Sequence, residues 1–430
     1  MDENAFYKIA VIGLGYVGLP LSNMFLEKGH TVYGIDLDST KVQSLLNGKS
    51  YLSDFSEEDI KKMFEKGNFH PGNSFDRVSE ADAVIICVPT PLDENADPDL
   101  KYVKSAIKYC LPFLQKGQLI VLESSTYPGT TEEEIVPMIE DAGFAVGQDI
   151  FTAYSPERIN PGDELAIRTI PKVVGGVTES CTKMAKSIYE SIFDRVVVVS
   201  SPKVAELTKI LENYQRFINI SIMNELLMLC DEMDIDLWEV IDAAATKPYG
   251  FTSYYPGPGI GGHCIPVDPL YLLWKAGKYG IDLEFISHAH KINHQMPAFI
   301  LHKLQKNLQK PLNEMNVLAI GATYKKDVND LRESTAIMVM QELQKAGTSL
   351  DFHDPFISTI MLGKDSLSSV DLMKINLKEY DCVLLLTDHT NLVDVKSNFT
   401  LFAHFLFTLR LKICFSDFSY DDFPHLLYRE

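Results

Sequence analysis

Positive charge is scarce in this sequence. Lysine and arginine together number 39, aspartate and glutamate number 59, and the formal net charge is −20. Proteins that bind nucleic acid or an anionic membrane surface need clustered cations to neutralise phosphates. The composition therefore argues against both kinds of partner, although a local basic pocket could still bind a small anion.

Long apolar runs and a basic amino-terminal segment are also missing. No stretch approaches the length of a membrane span, and the segment from Met1 to Asn4 is acidic. The seven cysteines are an odd number without a CxxC pair, which excludes a disulfide framework and gives no indication of a metal site. We expect a soluble, cytoplasmic protein whose cysteines are mostly buried, with Cys264 as the exception.

The order of the remaining patterns predicts an α/β protein. A chain of 430 residues with 46% hydrophobic and 23% charged residues is too long for one core and has ordinary globular composition. Strands alternate with helices near both ends, and a helical block separates the two regions. We predict a Rossmann dinucleotide-binding domain over residues 1–200, a central helical domain with one long helix over 201–308 and a Rossmann-like domain over 309–430.

The first motif is a glycine-rich turn between a strand and a helix. The segment from Lys8 to Ile12 is apolar and is followed by Gly13-Leu14-Gly15-Tyr16-Val17-Gly18. Such glycines permit a tight turn and let a pyrophosphate reach the helix N-terminus. A second strand ends at Asp36, the position typical of an acid that binds ribose hydroxyls, and no arginine follows it. This favours NAD over NADP, and an ordinary tight turn is the alternative for the glycines alone.

Three further buried strands end in small or polar residues, and ligands of doubly wound sheets bind at such carboxyl ends. The residues after these strands are Pro89-Thr90, Ser125-Thr126 and Ser155-Pro156-Glu157-Arg158.

The central block begins with a predicted helix from Lys203 to about Glu232, which contains no glycine or proline. At 1.5 Å per residue it is about 45 Å long. Lys209, Asn213 and Arg216 share one face, and a solvated flank is the alternative reading of that face. Further helices are predicted from Leu237 to Ala245 and from Tyr271 to about Leu308, so the block could also serve as a subunit interface. The helical apolar spacing of the first helix is carried by Val204, Leu207, Leu211, Ile218, Ile222 and Leu226.

A glycine- and proline-rich loop from Tyr254 to Pro269 follows. Four glycines between Gly257 and Gly262 can bring the backbone close to a ligand. Cys264 ends this run and Asp268 follows four residues later, which presents a nucleophile beside an acid or base. The alternative is a surface loop that happens to contain a cysteine.

The last region contains a basic loop after a strand from Asn316 to Gly321. In so acidic a chain, Lys325, Lys326 and Arg332 predict a phosphate contact. Salt bridges of Arg332 and the lysines with Asp330 and Glu333 are the alternative.

Taken together in order, these motifs resemble the nucleotide-sugar 6-dehydrogenases of the UDP-glucose/GDP-mannose dehydrogenase family. The resemblance extends from Lys8 to about His389. Its most specific carriers are Glu206-x-x-Lys209-x-x-x-Asn213 and the segment from Gly259 to Asp268. It implies oxidation of the C6 alcohol of a UDP-sugar to a carboxylate for surface polysaccharide, with two NAD and no metal. It also implies a UDP-sugar-binding last domain and a homodimer or higher oligomer formed through the central helix.

The resemblance implies a role for each site residue. Cys264 is the nucleophile that forms a thiohemiacetal and then a thioester. Lys209 and Asn213 stabilise oxyanions, Asp268 and a water held by Thr126 are open alternatives for proton transfer, and Glu157 serves the hydrolytic step. The implied cofactor-binding residues are Gly13, Gly15, Tyr16, Val17, Gly18, Asp36, Lys41, Pro89, Thr90, Thr126, Glu157 and Arg332. The implied substrate-binding residues are Glu157, Arg158, Lys209, Asn213, Arg216, Tyr255, Gly257, Gly261, Tyr324 and Lys325.

The sequence departs from the family pattern in two places. UDP-glucose enzymes usually have Cys-Phe-Pro-Lys-Asp where this chain has Ile265 and Val267, which favours the N-acetylhexosamine branch. The tail 398–430 lacks the family's closing motif, its first part is aromatic-rich and unpatterned, and the segment 410–415 is a candidate final strand. The unusual tail makes a catalytically impaired binding homologue an alternative. A dehydrogenase that uses one NAD and leaves Cys264 idle is a third reading.

Overall fold

The computed structural model describes residues 6–52, 55–158, 167–392, 405–407 and 412–414. The chain forms two compact units, one of Met1–Tyr214 with Val267–Leu283 and one of Gln215–Pro266 with Glu284–Glu430.

The first unit contains an eight-stranded sheet with the order β3-β2-β1-β4-β5-β6-β7-β8. Only the β6–β7 pair is antiparallel among these neighbours. The reversal of strand order between β1 and β4 is the point at which doubly wound sheets bind ligands. The strands are β1 Lys8–Ile12, β2 Thr31–Ile35, β3 Phe69–Gly72, β4 Ala83–Ile86, β5 Leu119–Leu122, β6 Phe151–Tyr154, β7 Lys172–Gly176 and β8 Val196–Val198.

Both faces of this sheet are covered. In β1, Ile9 and Val11 pack into one buried cluster, whereas Ala10 and Ile12 pack into another. Successive side chains of a strand point to opposite faces, so an uninterrupted apolar strand requires apolar layers on both sides. The predicted Rossmann architecture is confirmed, but β3 and β7 were not predicted.

Eleven α-helices are found among the residues that the structure describes. They are α1 Gly18–Glu27, α2 Ser39–Leu46, α3 Glu57–Glu65, α4 Lys101–Cys110, α5 Val136–Asp141, α6 Glu179–Glu190, α7 Pro202–Met233, α8 Leu237–Ala245, α9 Asp268–Gly277, α10 Glu284–Leu308 and α11 Thr335–Lys345.

The helix predicted from Tyr271 to Leu308 is wrong as a single element. It is divided into α9 and α10, and Gly280 in the connection has a φ of 69°, a conformation that does not continue a right-handed helix. The long helix α7 and the short α8 are confirmed. No helix within the described ranges combines the length and apolar character needed to cross a membrane.

The apolar stripe of α7 is not its buried face. Leu211 is 60% exposed and Leu229 is 55% exposed, and further exposed positions share their apolar character. The buried face carries other apolar residues, Ala205, Ile210, Phe217, Leu227 and Cys230, together with polar and charged side chains. The buried polar and charged residues of α7 are Glu206, Lys209, Asn213, Ser221 and Asn224.

The second unit contains a five-stranded sheet with the order β10-β9-β13-β14-β15, in which only β14 and β15 pair antiparallel. The predicted final strand at 410–415 is confirmed by β15, whereas β14 lies in a stretch predicted to be unpatterned. The other residues of the predicted tail 398–430 lie outside the described residues. The strands are β9 Asn316–Ile320, β10 Ser349–His353, β11 Thr359–Leu362, β12 Asp365–Ser368, β13 Cys382–Leu385, β14 Phe405–Phe407 and β15 Lys412–Cys414.

Candidate active site

The turn between β1 and α1 has the shape of a dinucleotide cradle. Gly13 has a φ of 93°, and a Cβ there would lie 2.7 Å from the carbonyl oxygen of Cys87. A Cβ on Gly18 would clash with the carbonyl of Gly13, whereas the space beside Gly15 is open. Side chains at Gly13 and Gly18 would therefore disrupt the turn, and the open space beside Gly15 suits a bound pyrophosphate.

Asp36 lies at the end of β2 beside this turn. Its Oδ2 accepts a hydrogen bond from the amide of Leu14 at 2.9 Å and lies 3.4 Å from the ammonium of Lys41. Its Oδ1 accepts from the amide of Asp38 at 2.9 Å. The structure thus brings together the glycine turn, Asp36 and Lys41, and their binding of the cofactor stays a prediction. Tyr16 and Val17 belong to the same turn between β1 and α1.

A buried carboxyl group lies beside the polar face of α7. Asp268, the first residue of α9, is fully buried, and its Oδ2 accepts a hydrogen bond of 2.6 Å from the amide of Asn213. Its Oδ1 has no hydrogen-bond partner among the described residues. Burial raises the pKa of Asp268 to about 6, against the opposing effects of Lys209 and Asn213. Such a group can gain or lose a proton near neutral pH.

Glu206, one turn before Lys209 on α7, fixes the turn that follows β5. Its two carboxylate oxygens accept hydrogen bonds from the amides of Gly129 at 2.5 Å and Thr131 at 2.9 Å. Within that turn the hydroxyl of Thr126 is 2.6 Å from that of Thr130. Glu206 was predicted only as part of a motif. Its spacing of three residues from Lys209 puts both side chains on the same face of α7, which could have indicated that Glu206 is buried as well.

The loop after β6 carries Glu157 and Arg158. Glu157 Oε1 accepts a hydrogen bond from the Arg158 amide at 2.6 Å. The Arg158 guanidinium donates to Glu212 of α7 at 2.9 Å and to the carbonyl of Pro171 at 2.8 Å. These contacts tie the loop to α7 and β7, so the predicted role of Arg158 in substrate binding stays a prediction.

The residues after β4 are fastened to α9. Thr90 is 2% exposed, and its carbonyl accepts a hydrogen bond from the hydroxyl of Tyr271. The ring of Tyr127 packs at a tilt against that of Trp274 on the same helix α9, with ring centroids 4.8 Å apart. These contacts hold the helix whose first residue is Asp268 against the carboxyl edge of the first sheet, next to Pro89 and Thr90.

In the second unit, side-chain amides hold the beginning of the glycine loop. Gly257 donates to Asn224 Oδ1 at 2.9 Å, and Asn224 in turn donates to Asn293 Oδ1 at 2.8 Å. The hydroxyl of Tyr255 donates to Asp242 of α8 at 3.0 Å. Asn224 and Asn293 were not predicted as site residues, because their role depends on a contact between α7 and α10. Arg216 lies on α7 and is half-buried.

The end of the glycine loop packs against the basic loop. A Cβ on Gly261 would lie 2.8 Å from the carbonyl oxygen of Glu333, and one on Gly262 would lie 2.7 Å from the ring of Tyr324. Gly262 also has a φ of 88°. The missing side chains therefore permit this close approach. Cys264 follows shortly after and carries an exposed thiol, whereas Cys110, Cys181, Cys230 and Cys382 are buried as predicted.

The basic loop is itself held by ionic contacts. Arg332 donates to both carboxylate oxygens of Asp330, at 2.7 Å in the shortest contact. This hydrogen bonding raises the pKa of Arg332 against burial, with a smaller contribution from the neighbouring Tyr324 and Cys264. The predicted alternative of an Arg332–Asp330 salt bridge is confirmed. The Lys325 carbonyl accepts a hydrogen bond of 2.9 Å from Thr323.

Within the described ranges, no group of three or more histidine, cysteine, aspartate or glutamate side chains is arranged to hold a metal ion.

Three family models match the chain in order. They are described as the NAD binding domain, central domain and UDP binding domain of the UDP-glucose/GDP-mannose dehydrogenase family, and they match residues 7–193, 203–295 and 318–405. The chain is 36% identical over 400 residues to Protein CapL of Staphylococcus aureus, covering 90% of this chain and 93% of that one. It is 35% identical to UDP-N-acetyl-D-glucosamine 6-dehydrogenase of Pseudomonas aeruginosa, covering 89% and 90%.

Solved structures of this kind have the same fold. UDP-D-ManNAc dehydrogenase from Pyrococcus horikoshii matches with a TM-score of 0.82 and 29% identity, over 91% of this chain and 92% of that one. UDP-N-acetyl-mannosamine dehydrogenase Cap5O from Staphylococcus aureus matches with a TM-score of 0.78 and 31% identity, over 89% of each chain. The glycine cradle with Asp36, the buried Asp268 and the three matched domains lead to one conclusion: this chain is an NAD-dependent oxidoreductase of the UDP-glucose/GDP-mannose dehydrogenase family.

Proposed function

We propose that this enzyme oxidises the C6 alcohol of a UDP-N-acetylhexosamine to the uronate, consuming two NAD for each sugar. The observation that carries the proposal is the buried Asp268, held by Asn213, with one oxygen lacking a partner among the described residues and a pKa of about 6. An alcohol can lose a hydride only if its hydroxyl proton is also removed. A carboxylate with this pKa suits that proton transfer at neutral pH.

The second oxidation needs a nucleophile, and we assign it to Cys264. NAD, when bound, supplies the chemistry of hydride uptake. Thiolate addition to the aldehyde carbon forms a C–S bond and gives a thiohemiacetal, and loss of hydride from that carbon gives a thioester. Water then forms the new C–O bond, the C–S bond breaks and the thiolate of Cys264 is recovered. The exposure of Cys264 supports its role, because a buried thiol would be inert.

Three side chains in the first unit are assigned to charge stabilisation and hydrolysis. Lys209 and Asn213 lie on the buried face of α7, where fixed donors stabilise a developing oxyanion more strongly than in water. Glu157 is assigned to accept a proton during thioester hydrolysis.

We also assign a function to each predicted domain, with cofactor binding over 1–200, the catalytic loop within 201–308 and UDP-sugar binding over 309–430.

The N-acetylhexosamine assignment rests on two kinds of support. Ile265 and Val267 replace residues that are usual in UDP-glucose enzymes of this family. Three of the four relatives named above act, by their names, on UDP-N-acetylglucosamine or UDP-N-acetylmannosamine. We infer that the product is a uronic-acid precursor of a surface polysaccharide.

A substrate panel tests the proposal. NADH absorbance is followed with UDP-glucose, UDP-GlcNAc, UDP-GalNAc and UDP-ManNAc, and product acid is quantified. We expect two NADH for each acid formed with an N-acetylhexosamine. One NADH for each sugar would indicate a simple alcohol dehydrogenase, and ligand-dependent stabilisation without NADH would indicate a binding homologue.

The exposed face of α7 supports a second part of the proposal, that two copies of the chain pair through this helix. Leu207, Leu211, Ile222 and Leu229 are each more than two-fifths exposed. An apolar surface of this kind on a monomer marks an interaction site. Leu211→Glu should shift the mass measured by light scattering from a dimer to a monomer, whereas Lys186→Glu on α6 should not. An unchanged dimer in the Leu211 variant would contradict pairing through α7.

A further inference from the structure

A buried lysine lies beside the carboxylate assigned to hydrolysis. Lys172 begins β7 and is 3% exposed. Its ammonium nitrogen is 2.7 Å from Glu123 Oε2 and 3.5 Å from Glu157 Oε2. Lysine is almost never buried to this degree without a partner, because removing its charge from water is costly. Glu123 alone would provide that partner, so the contact with Glu157 needs its own explanation.

The register of the sheet produces this contact. β6 and β7 pair antiparallel with Tyr154 opposite Gly175. Extended by three residues, that register puts Glu157 opposite Lys172. Between these two pairs of residues, the hydroxyl of Ser155 donates a hydrogen bond of 2.7 Å to the carbonyl oxygen of Val173. This bond holds the segment after β6 against β7. Lys172 is therefore built into the sheet where the loop carrying Glu157 begins.

Each oxygen of Glu157 faces a different donor. Oε1 accepts the hydrogen bond from the Arg158 amide at 2.6 Å, and Oε2 faces the Lys172 ammonium. Arg158 is itself held by the carbonyl of Pro171, the residue before Lys172. The carboxylate is therefore oriented from both sides by groups anchored at the start of β7.

The groups packed around Lys172 keep its side chain positively charged. Burial by itself lowers the pKa of Lys172, but the carboxylates of Glu123 and Glu157 outweigh burial and raise it. Burial raises the pKa of the Cys87 thiol well above its usual value, so that thiol is neutral. The hydroxyl of Tyr189 donates to Glu123. One ammonium thus faces two carboxyl groups in a site with little access to water.

We propose that Lys172 is a positioning residue that orients the Glu157 carboxylate for proton transfer in thioester hydrolysis. The inference rests on the proposed function. In this step the water oxygen bonds to the thioester carbon, the C–S bond to Cys264 breaks, and the sulfur leaves as thiolate. One proton of the water passes to Glu157. Without Lys172, Glu157 keeps its neighbour Glu123 but loses the cation that fixes its Oε2.

Trapping the thioester tests the inference. Lys172→Met, Lys172→Arg, Glu157→Gln and the Lys172→Met/Glu157→Gln double variant are each mixed with NAD and the best substrate of the UDP-sugar panel. Acid quenching at steady state and intact-mass measurement give the fraction of Cys264 held as thioester. We expect Lys172→Met and Glu157→Gln to accumulate the thioester and to lose at least ~10-fold in steady-state turnover, because misplacement of a catalytic group by about 1 Å can cost 10²-fold. Lys172→Arg should remain near the wild type.

The double variant separates positioning from a general structural role. If Lys172 acts through Glu157, the double variant should turn over no more slowly than Glu157→Gln alone. Slower turnover of the double variant by the full factor of the single Lys172→Met change would overturn the inference. So would a Lys172→Met enzyme that accumulates no thioester while Glu157→Gln does.

A folding defect can be separated in the same way. Lys172→Met leaves Glu123 buried without its cation, whereas Lys172→Met with Glu123→Gln removes both charges and is better tolerated. If the single variant does not fold, the same comparison is made with Glu123→Gln as the parent. No NADH from the wild type with any UDP-sugar defeats the proposed function and this inference together. A Glu157→Gln enzyme without trapped thioester removes only the assigned role of Glu157 and the inference built on it.

Discussion

The two units hold their reactive groups in opposite ways. Asp268 in the first unit is fully buried and is fixed by a side-chain hydrogen bond from Asn213, near Lys209. Cys264 in the second unit is exposed, and it follows glycines that pack by backbone contact against Tyr324 and Glu333. Asp268 is thus held by a polar side chain, whereas the loop before Cys264 is held by close packing that only glycines permit.

This difference matches the role that we propose for each group. Burial and neighbouring donors set the pKa of a carboxyl group, so Asp268 gains a pKa of about 6 from its surroundings. Cys264, as the proposed nucleophile, has to reach a carbon atom of the substrate, so access and position matter more for it. Changes at the two places should therefore have different signatures, in turnover, in pH dependence or in stability.

The largest expected effect is that of Cys264→Ser on complete oxidation. A serine hydroxyl is a far weaker nucleophile at neutral pH, so formation of the acid should fall by ~10³-fold or more. Acid product and NADH are measured with the best substrate of the panel. Cys230→Ala, which changes a buried thiol in the same unit, should retain turnover. Normal acid formation by the Cys264 variant would rule out the thioester.

Gly262→Ala tests whether backbone packing positions Cys264. The new Cβ would lie 2.7 Å from the Tyr324 ring, at a φ of 88° that alanine adopts only with strain. The loop must shift, and a displacement of about 1 Å can reduce turnover ~10²-fold. Gly277→Ala, whose Cβ would meet no atom within 4 Å, is the control. Alkylation of Cys264 by iodoacetamide should persist, because the thiol remains exposed. Full turnover of Gly262→Ala would show that the packing does not matter.

Local motifs predicted much of this arrangement. The strand, glycine turn and Asp36 are close in sequence, and the spacing of Lys209 and Asn213 on one helix correctly predicts a shared face. Periodicity could not tell which face of α7 is covered. Leu207 and Leu211 have the spacing of a core stripe, yet they are exposed in the single chain.

What the sequence could not predict depends on contacts between distant segments. The burial that raises the pKa of Asp268 comes from the packing of α9, whose start was predicted three residues too late. Lys172 belongs to β7, a strand that was not predicted and that pairs antiparallel with β6. A lysine at the start of a short apolar strand gives no local signal that two carboxylates will face it.

The pH dependence of turnover tests the proposed role of the buried Asp268. If ionised Asp268 accepts the alcohol proton, kcat/KM should rise as pH increases through about 6. Lys209 lowers the pKa of Asp268, so Lys209→Met should move this rise to higher pH, by about one unit. Lys186→Met on the exposed surface of α6 is the matched control. An unshifted acid limb in the Lys209 variant would indicate that another group, such as a water held by Thr126, accepts the proton.

The smallest expected effect is on the free energy of unfolding. It separates the destabilisation caused by burying Asp268 from the proposed catalytic role of this residue. The folded-state pKa of about 6 is above the usual value of 3.8 for an aspartate, so folding favours the protonated form. The stabilisation is complete below about pH 4 and is lost as pH rises through 6, a difference of about 3 kcal/mol at 1.36 kcal/mol per pKa unit. Asp268→Asn cannot ionise, so its free energy of unfolding should exceed that of the wild type by up to this amount at pH 8 and match it at pH 4. Denaturant unfolding at both pH values measures the difference, with exposed Asp141→Asn as the control. If the buried carboxylate serves proton transfer, the Asp268→Asn enzyme should be inactive and should be more stable than the wild type only at high pH. An equal difference in the free energy of unfolding at both pH values would mean that the carboxyl group does not titrate near 6.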